Sequence, residues 1–408
     1  MGRPFRFVDV STPPQRVSFH RLWTSGEKLW ITLNLGLPTC GQRTTWREET
    51  VTPCHAMSSS PPLLRPILLP GLHRIWRDRH TLQLGLDPAR AVLLEVANPS
   101  AARLLDLLDG AHPERAVFDE ASKIGVSRDE ARLLLDTLRA AGLVIAAPSL
   151  VPTSLPEPVR RRLVPEATAM ALRGADAPAS PAQVLRRRAA TKVVLTGHSR
   201  LAAPLAVALA QAGVGHVHPA LAGSVDLADM PGGPLSADDV QRPRGAATAD
   251  AIARTTPDTD TGPVRNGRPA LVVQAGTDRP AALVAAGFAQ RRQAHLAVGV
   301  RDGTAVIGPL VPPGGAPCLN CLDLHRNDRD PAWPAIAAQL AAGGVPETCA
   351  TPTLLAAVAY AAAEALAYLD GGTPETVGAA VEISAPGRTR RRTWPPHPGC
   401  GCARTTPR

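Results

Sequence analysis

Apolar residues fall into two periodic blocks, over residues 63–147 and 191–403, with a proline-rich stretch between them. In the first block "HRIWRD", "TLQLGLD" and "AVLLEV" are short runs separated by Arg79-His80 and by Pro88-Ala89-Arg90, and they predict three strands. Helical spacing follows. Residues 99–108 set Leu104, Leu105, Leu107 and Leu108 ahead of Asp109-Gly110, residues 114–124 end at Gly125, and Ser127 opens a helix to Ala141. Serine accepts from the first free N–H groups of a helix, and glycine adopts the left-handed turn that ends one. Leu133, Leu134, Leu138 and Leu143 lie at core spacing. Three strands and three helices in so short a span predict a small winged-helix domain over 57–147.

The second block begins with a strand at 193–196 that runs into Gly197, an Ala-rich helix at 202–212 and a strand at 214–219. This order points a helix N-terminus at the end of a strand, as in dinucleotide-type domains. "PALVVQAG" adds a third strand, 281–293 a helix, and "HLAVGVRDGTAVIGPLV" two further strands. Residues 353–369 are nearly all Ala, Leu, Val and Tyr, which predicts a buried helix, and "VGAAVEIS" with "TRRRTWP" predicts a hairpin. The fold class expected is α/β, a Rossmann-like domain over 191–408 preceded by the winged helix.

The remaining stretches read differently. Residues 1–56 hold three of the six Trp and three of the five Phe without sustained periodicity. They are expected to be a disordered extension, or a start placed too early, with Met57 opening the folded chain. Residues 148–190 carry seven prolines between Pro148 and Pro181 and two arginine triplets. A linker is expected there, helical only around 166–173.

Composition narrows the class. The 408 residues suit two or three domains, and 44% apolar with only 3% aromatic content means cores of Ala, Leu and Val. The net charge of +9 comes with arginine runs at 160–162, 186–188 and 390–392. Such charge suits acidic partners, but no aromatics or basic motif interleave with it, so nucleic acid is not an expected partner. No apolar run is expected to approach the roughly 20 residues that span a bilayer. No secretory signal is read, so a reducing, cytoplasmic setting is expected, without a membrane partner and with a homodimer as the assembly.

Cysteine spacing carries the strongest chemistry. Cys318 and Cys321 in "APCLNC", with Cys400 and Cys402 in "PGCGC", are two chelating pairs. Two such pairs complete a tetrahedral sulfur site, and structural zinc is the expected occupant. Four unrelated thiols are the plain alternative. Disulfides are a second, although the other three cysteines of the seven leave an odd count.

The first block resembles the PqqD-like peptide-recognition domains of peptide-modifying gene clusters, through "RPILLPGLHRIWRD", "LLDLLDGAHPERAVFDEA" and "LRAAGLVI". The resemblance implies that a leader peptide pairs with the third strand, here Ala91, Val92, Leu93, Leu94, Glu95 and Val96, and lies against the Ser127 helix. Arg132 and Arg139, seven residues apart on that helix, can attract an acidic leader or can be plain solvated charges.

The second block is similar to the ThiF/MoeB adenylyltransferases. "TGHSRLAAP" stands at that family's glycine-rich loop, "DDVQRPRGAATADAIAR" at its lysine and "AGTDRPAA" at its Thr-Asp-Asn turn. "APCLNC" stands at its zinc ligands, and "ETCATPTLLAAVAYAAAEALAYLDGG" at its cysteine loop. The catalytic pattern departs from the family. Gly197 alone remains of the loop glycines, with Ser199, Arg200 and Ala202 at the other places. Arg244 replaces the lysine, and the acidic ribose ligand and the asparagine–arginine pair are missing. Asp278 stands at the magnesium position, and Gly197, Arg244 and Asp278 are what the resemblance leaves of a nucleotide site. ATP and magnesium are therefore not expected cofactors. Cys349 aligns with a cysteine that carries sulfur or a thioester in some relatives, but no base is readable beside it. His325 after the first cysteine pair either braces the zinc loop or packs a helix.

A PqqD-like domain joined to a catalytically depleted ThiF-like domain resembles the partner proteins of azole-forming peptide biosynthesis. The resemblance implies a subunit that binds a precursor leader peptide and presents it to a separate YcaO-type cyclodehydratase. The rival is an active adenylyltransferase for the C-terminus of a carrier protein or peptide, with Cys349 and Asp278 as candidate catalytic residues.

Overall fold

The computed structural model describes residues 30–32, 61–87, 91–96, 99–173, 179–276, 280–341 and 346–402. The chain divides into two compact units, Met1–Ala182 and Gln183–Arg408.

In the first unit, β1 (Trp30–Thr32), β5 (Val92–Glu95), β4 (Thr81–Leu84) and β3 (Arg74–Trp76) form one antiparallel sheet in that order. β2 (Pro66–Leu68) pairs with β6 (Val144–Ala146) in a separate ribbon. A 3-10 helix (Pro99–Asp106), α1 (Glu114–Lys123) and α2 (Arg128–Ala140) supply the helices. Strand alternation turns Leu82, Leu84, Val92 and Leu94 inward, where they share a core with Leu134, Leu135 and Leu138 of α2. α2 starts where the sequence predicts, because Ser127 and Glu130 cap each other's main-chain N–H groups.

Two expectations meet the structure here. The strand β1 lies inside residues 1–56, whose remainder is outside the described residues. The stretch 148–190 holds more regular structure than expected: α3 (Ala147–Leu150), α4 (Glu157–Arg173) and α5 (Pro181–Ala189). Pro158 and Pro181 sit in first turns, where a missing N–H costs no hydrogen bond, so these prolines begin helices rather than interrupt the chain. Arg188, in one of the triplets, is buried and pairs with Asp370 at 2.6 Å.

The second unit is a mixed α/β layer. Its seven-stranded sheet runs β13 (Arg388–Thr393), β12 (Ala379–Ala385), β11 (Thr304–Val311), β10 (His295–Arg301), β9 (Leu271–Ala275), β7 (Lys192–Gly197), β8 (His216–Leu221). The four strands from β10 to β8 are parallel, and the other three are antiparallel. The crossover helices are α6 (Ala202–Gln211), α7 (Arg244–Thr255) and α8 (Ala281–Gln290). Beyond β11 come α9 (Leu319–Arg329), α10 (Trp333–Ala341) and α11 (Thr351–Leu369). α11 has the length and apolarity to cross a membrane, contrary to the expectation that no apolar run does, because single polar residues such as Thr353 and Glu364 leave its mean hydropathy high. Here it packs on α6, β11 and β12, and its buried Glu364 accepts from the Thr376 N–H at 2.8 Å and hydroxyl at 2.6 Å. It is the buried helix the composition predicts.

Candidate functional site

The four expected cysteines come together. Cys318 is the N-cap of α9 and Cys321 lies in its first turn, and the chain after β13 returns Cys400 and Cys402 to meet them. The sulfurs stand 3.9 Å apart for Cys318–Cys321, 3.6 Å for Cys318–Cys400 and 3.2 Å for Cys321–Cys402. A tetrahedral thiolate site with metal–sulfur bonds of about 2.3 Å needs sulfur spacings of about 3.8 Å, so this set can hold a metal ion. These spacings are also far beyond a disulfide bond. Cys318, Cys321 and Cys400 are buried against Ala285 of α8 and Val311 of β11.

Burial pushes the Cys318 thiol up to about 11. At Cys400 burial also raises it, but hydrogen bonds from the Cys402 main chain, the Asn320 amide and neighbouring thiols outweigh it and bring Cys400 down to about 7. An ion entering the set releases its thiol protons. The loop is braced by His397, which sequence reading missed. Its Nδ1 accepts from the Gly399 N–H at 3.0 Å, so its Nε2 carries the proton toward Asp328 at 2.8 Å. His325 stacks edge-on against His397 and bonds the Pro395 carbonyl at 2.9 Å, in the bracing role open to it.

The loop after β7 meets α6 in the dinucleotide-type manner, but its donors are spent internally. The Ala275 carbonyl accepts from His198 N–H at 2.9 Å and from Ser199 N–H at 3.2 Å. Arg200 N–H donates to Glu347 Oε2 at 2.9 Å, Leu201 N–H to Ser199 Oγ at 3.3 Å, and Ala202 N–H to the Ser199 carbonyl at 3.0 Å. Ser199 Oγ adds a bond to the same Glu347 oxygen at 2.8 Å. The Glu347 carboxylate, from the segment before α11, thus sits at the helix N-terminus, the position that favours an anion. Gly197 (φ +104°) remains glycine for packing: a Cβ there would stand 2.0 Å from the Ala275 carbonyl oxygen.

Arg244 is also engaged. Its Nη2 pairs with Asp229 at 2.8 Å, and its Nη1 donates to the His198 and Ala222 carbonyls at 3.0 and 3.1 Å. Asp229, missed from sequence, in turn accepts from the Asp226 N–H at 2.9 Å. A nucleotide triphosphate brings several negative charges to a place that already holds a carboxylate and a neutralised arginine, so the described residues do not fit ATP. Asp278 lies outside the described residues.

Arg200 reaches across the same gap, donating from Nη1 to the carbonyls of Glu347 and Cys349 at 3.3 Å each. Burial pushes the Cys349 thiol up, Arg200 pulls it down, and the Glu347 charge raises it again. The net rise leaves Cys349 protonated, which is opposite to what a nucleophilic cysteine needs.

In the first unit the predicted recognition strand is β5, and the register seats β1 along it: Trp30 opposite Glu95, Ile31 opposite Leu94, Thr32 opposite Leu93. On α2, Arg132 lies over the Phe118 ring at 5.7 Å and Arg139 donates to the Pro61 carbonyl at 2.7 Å. Each arginine therefore has an intramolecular contact.

No family model and no curated protein matches this chain. Solved structures match it in fold. Escherichia coli MccB with ATP superposes at a TM-score of 0.57 with 15% identity, covering 83% of this chain and 99% of that one. MccB with MccA-N7isoASN gives 0.56 and 16% over the same shares. PaaA gives 0.56 and 16%, over 79% of this chain and 98% of its own. These shares exceed the second unit alone, so the likeness extends into the first.

Proposed function

We propose that this chain is a ThiF-like, peptide-binding scaffold subunit: a winged-helix unit captures the leader of a ribosomal precursor peptide, and a separate YcaO-type cyclodehydratase performs the ATP-dependent chemistry. The observation that carries the scaffold reading is the Glu347 carboxylate on Ser199 and Arg200, where a nucleotide phosphate would have to lie. Preorganised positive charge is the main catalytic resource in phosphoryl and adenylyl transfer, and here it is either absent or already paired. A Cys349 thiol pushed up by burial supports a role without a covalent step.

The open edge expected at residues 91–96 is occupied here by β1, and peptide capture is supported by that pairing itself, in which β5 accepts a further strand through main-chain hydrogen bonds. It is also supported by the likeness to MccB, a microcin C7 biosynthetic enzyme solved with N-formylated MccA. Zinc is the ion proposed for Cys318, Cys321, Cys400 and Cys402. Its role there is to tie the chain after β13 to α9, and four sulfur ligands leave it no open position for catalysis.

A second reading, adenylyl transfer to a peptide or carrier C-terminus, is favoured by the MccB structure with ATP. Titration calorimetry of the full-length chain with ATP and Mg2+ separates the two. The scaffold reading expects no binding heat, whereas saturable binding at micromolar ATP favours the second.

A further inference from the structure

We propose that residues Trp30–Thr32 are a resident strand that keeps the edge of β5 filled, and that an extended peptide enters this site by displacing them. The proposal takes the displacing occupant from the peptide-binding reading above. Its basis is the sheet order β1-β5-β4-β3, in which β5 has β4 on one side and β1 on the other. An incoming strand finds main-chain donors and acceptors on β5 only after β1 leaves.

The resident strand is a short one. Among the described residues it pairs with Leu93, Leu94 and Glu95. Tethering favours β1 through its effective concentration, so the chain's own segment is an internal competitor that sets a threshold for peptide entry.

The register also describes the chemistry of the entrant. The position facing buried Leu94 is held by Ile31, and the position facing Glu95 by Trp30. Like charges directly opposite one another destabilise a ladder. The site therefore takes an extended, proline-free segment with an apolar residue opposite Leu94 and no acidic residue opposite Glu95.

The test uses the full-length chain and a labelled synthetic peptide of residues 26–36, followed by fluorescence anisotropy. In Trp30→Pro/Ile31→Pro one of two adjacent ladder donors is lost whichever of them faces β5. The double variant should bind the peptide about tenfold more tightly than the unaltered chain does, since the internal competitor is gone. The Val96 N–H bonds the His80 carbonyl, so by alternation the Leu93 and Glu95 amides face β1, and these two should exchange faster with deuterium in the variant and regain protection on adding the peptide. Unchanged exchange in α2 reports that the unit is still folded, and Trp30→Glu, which faces Glu95, should act in the same direction. Equal affinity for both proteins, no binding to either, or unchanged exchange at Leu93 and Glu95 would overturn the proposal. The probe is the chain's own strand, so this outcome is distinct from a failure of leader binding, which would appear as no binding of a precursor to the double variant.

Discussion

Arg200 holds Glu347 from two directions, its main-chain N–H on the carboxylate at 2.9 Å and its guanidinium on the Glu347 carbonyl at 3.3 Å. With Ser199 Oγ on the same oxygen, this clasp closes the loop that begins α6. Glu347→Ala leaves the fully buried Ser199 without its acceptor. An unmet buried donor costs about 1–3 kcal/mol, so the thermal midpoint should fall. Glu347→Gln keeps an acceptor and should cost less. Neither variant should gain ATP binding, because Ala275 still occupies two of the loop amides. An alanine variant as stable as the unaltered chain would show the clasp to be incidental.

The cysteine set predicts about one zinc per chain in protein purified without chelators. Cys400→Ser/Cys402→Ser should bring metal analysis close to zero and lower the unfolding midpoint of the second unit. Freshly purified protein containing no zinc would remove the metal assignment.

His295 sets an acid limit. It is buried, stacked on Phe288 at 4.2 Å, and bonded through Nδ1 to the Gln293 carbonyl at 3.1 Å. Burial pulls it down from 6.5 to about 4, against the Gln293 carbonyl, which favours the charged form. As pH falls, the unfolded chain takes up this proton before the folded one does. Stability from His295 is therefore complete above the unfolded value and is lost on descent to the folded one, by about 3 kcal/mol in all. Urea unfolding near neutral pH and again near pH 5 should show a shallower acid loss for His295→Leu than for the unaltered chain. Equal losses would contradict this account of the imidazole.

Much of the fold was legible because its signals are local. Ser127 with Glu130, the alternation of Leu82, Leu84, Val92 and Leu94, and the composition of α11 each need only a short window of sequence. The four cysteines were legible because paired spacing carries the metal chemistry by itself. What was not legible depends on distant partners. β2 and β6 are three residues each, Pro66–Leu68 and Val144–Ala146, and pair with all of α1 and α2 between them in sequence, so neither carries a period of its own. Arg188 reads as a solvated charge until Asp370 meets it. The altered loop glycines gave no sign that Glu347 would meet Ser199 and Arg200, or Asp229 meet Arg244. Prolines in 148–190 were read as breaks, whereas Pro158 and Pro181 occupy the turn in which proline is tolerated.

The account's central claim is that this chain binds a peptide without activating it. The direct measurement is exchange of labelled pyrophosphate into ATP by the full-length protein with Mg2+ and a precursor peptide present. The account predicts no exchange above a protein-free control, in the unaltered chain and in Asp278→Ala alike. Robust exchange abolished by Asp278→Ala would contradict it and establish adenylyl transfer.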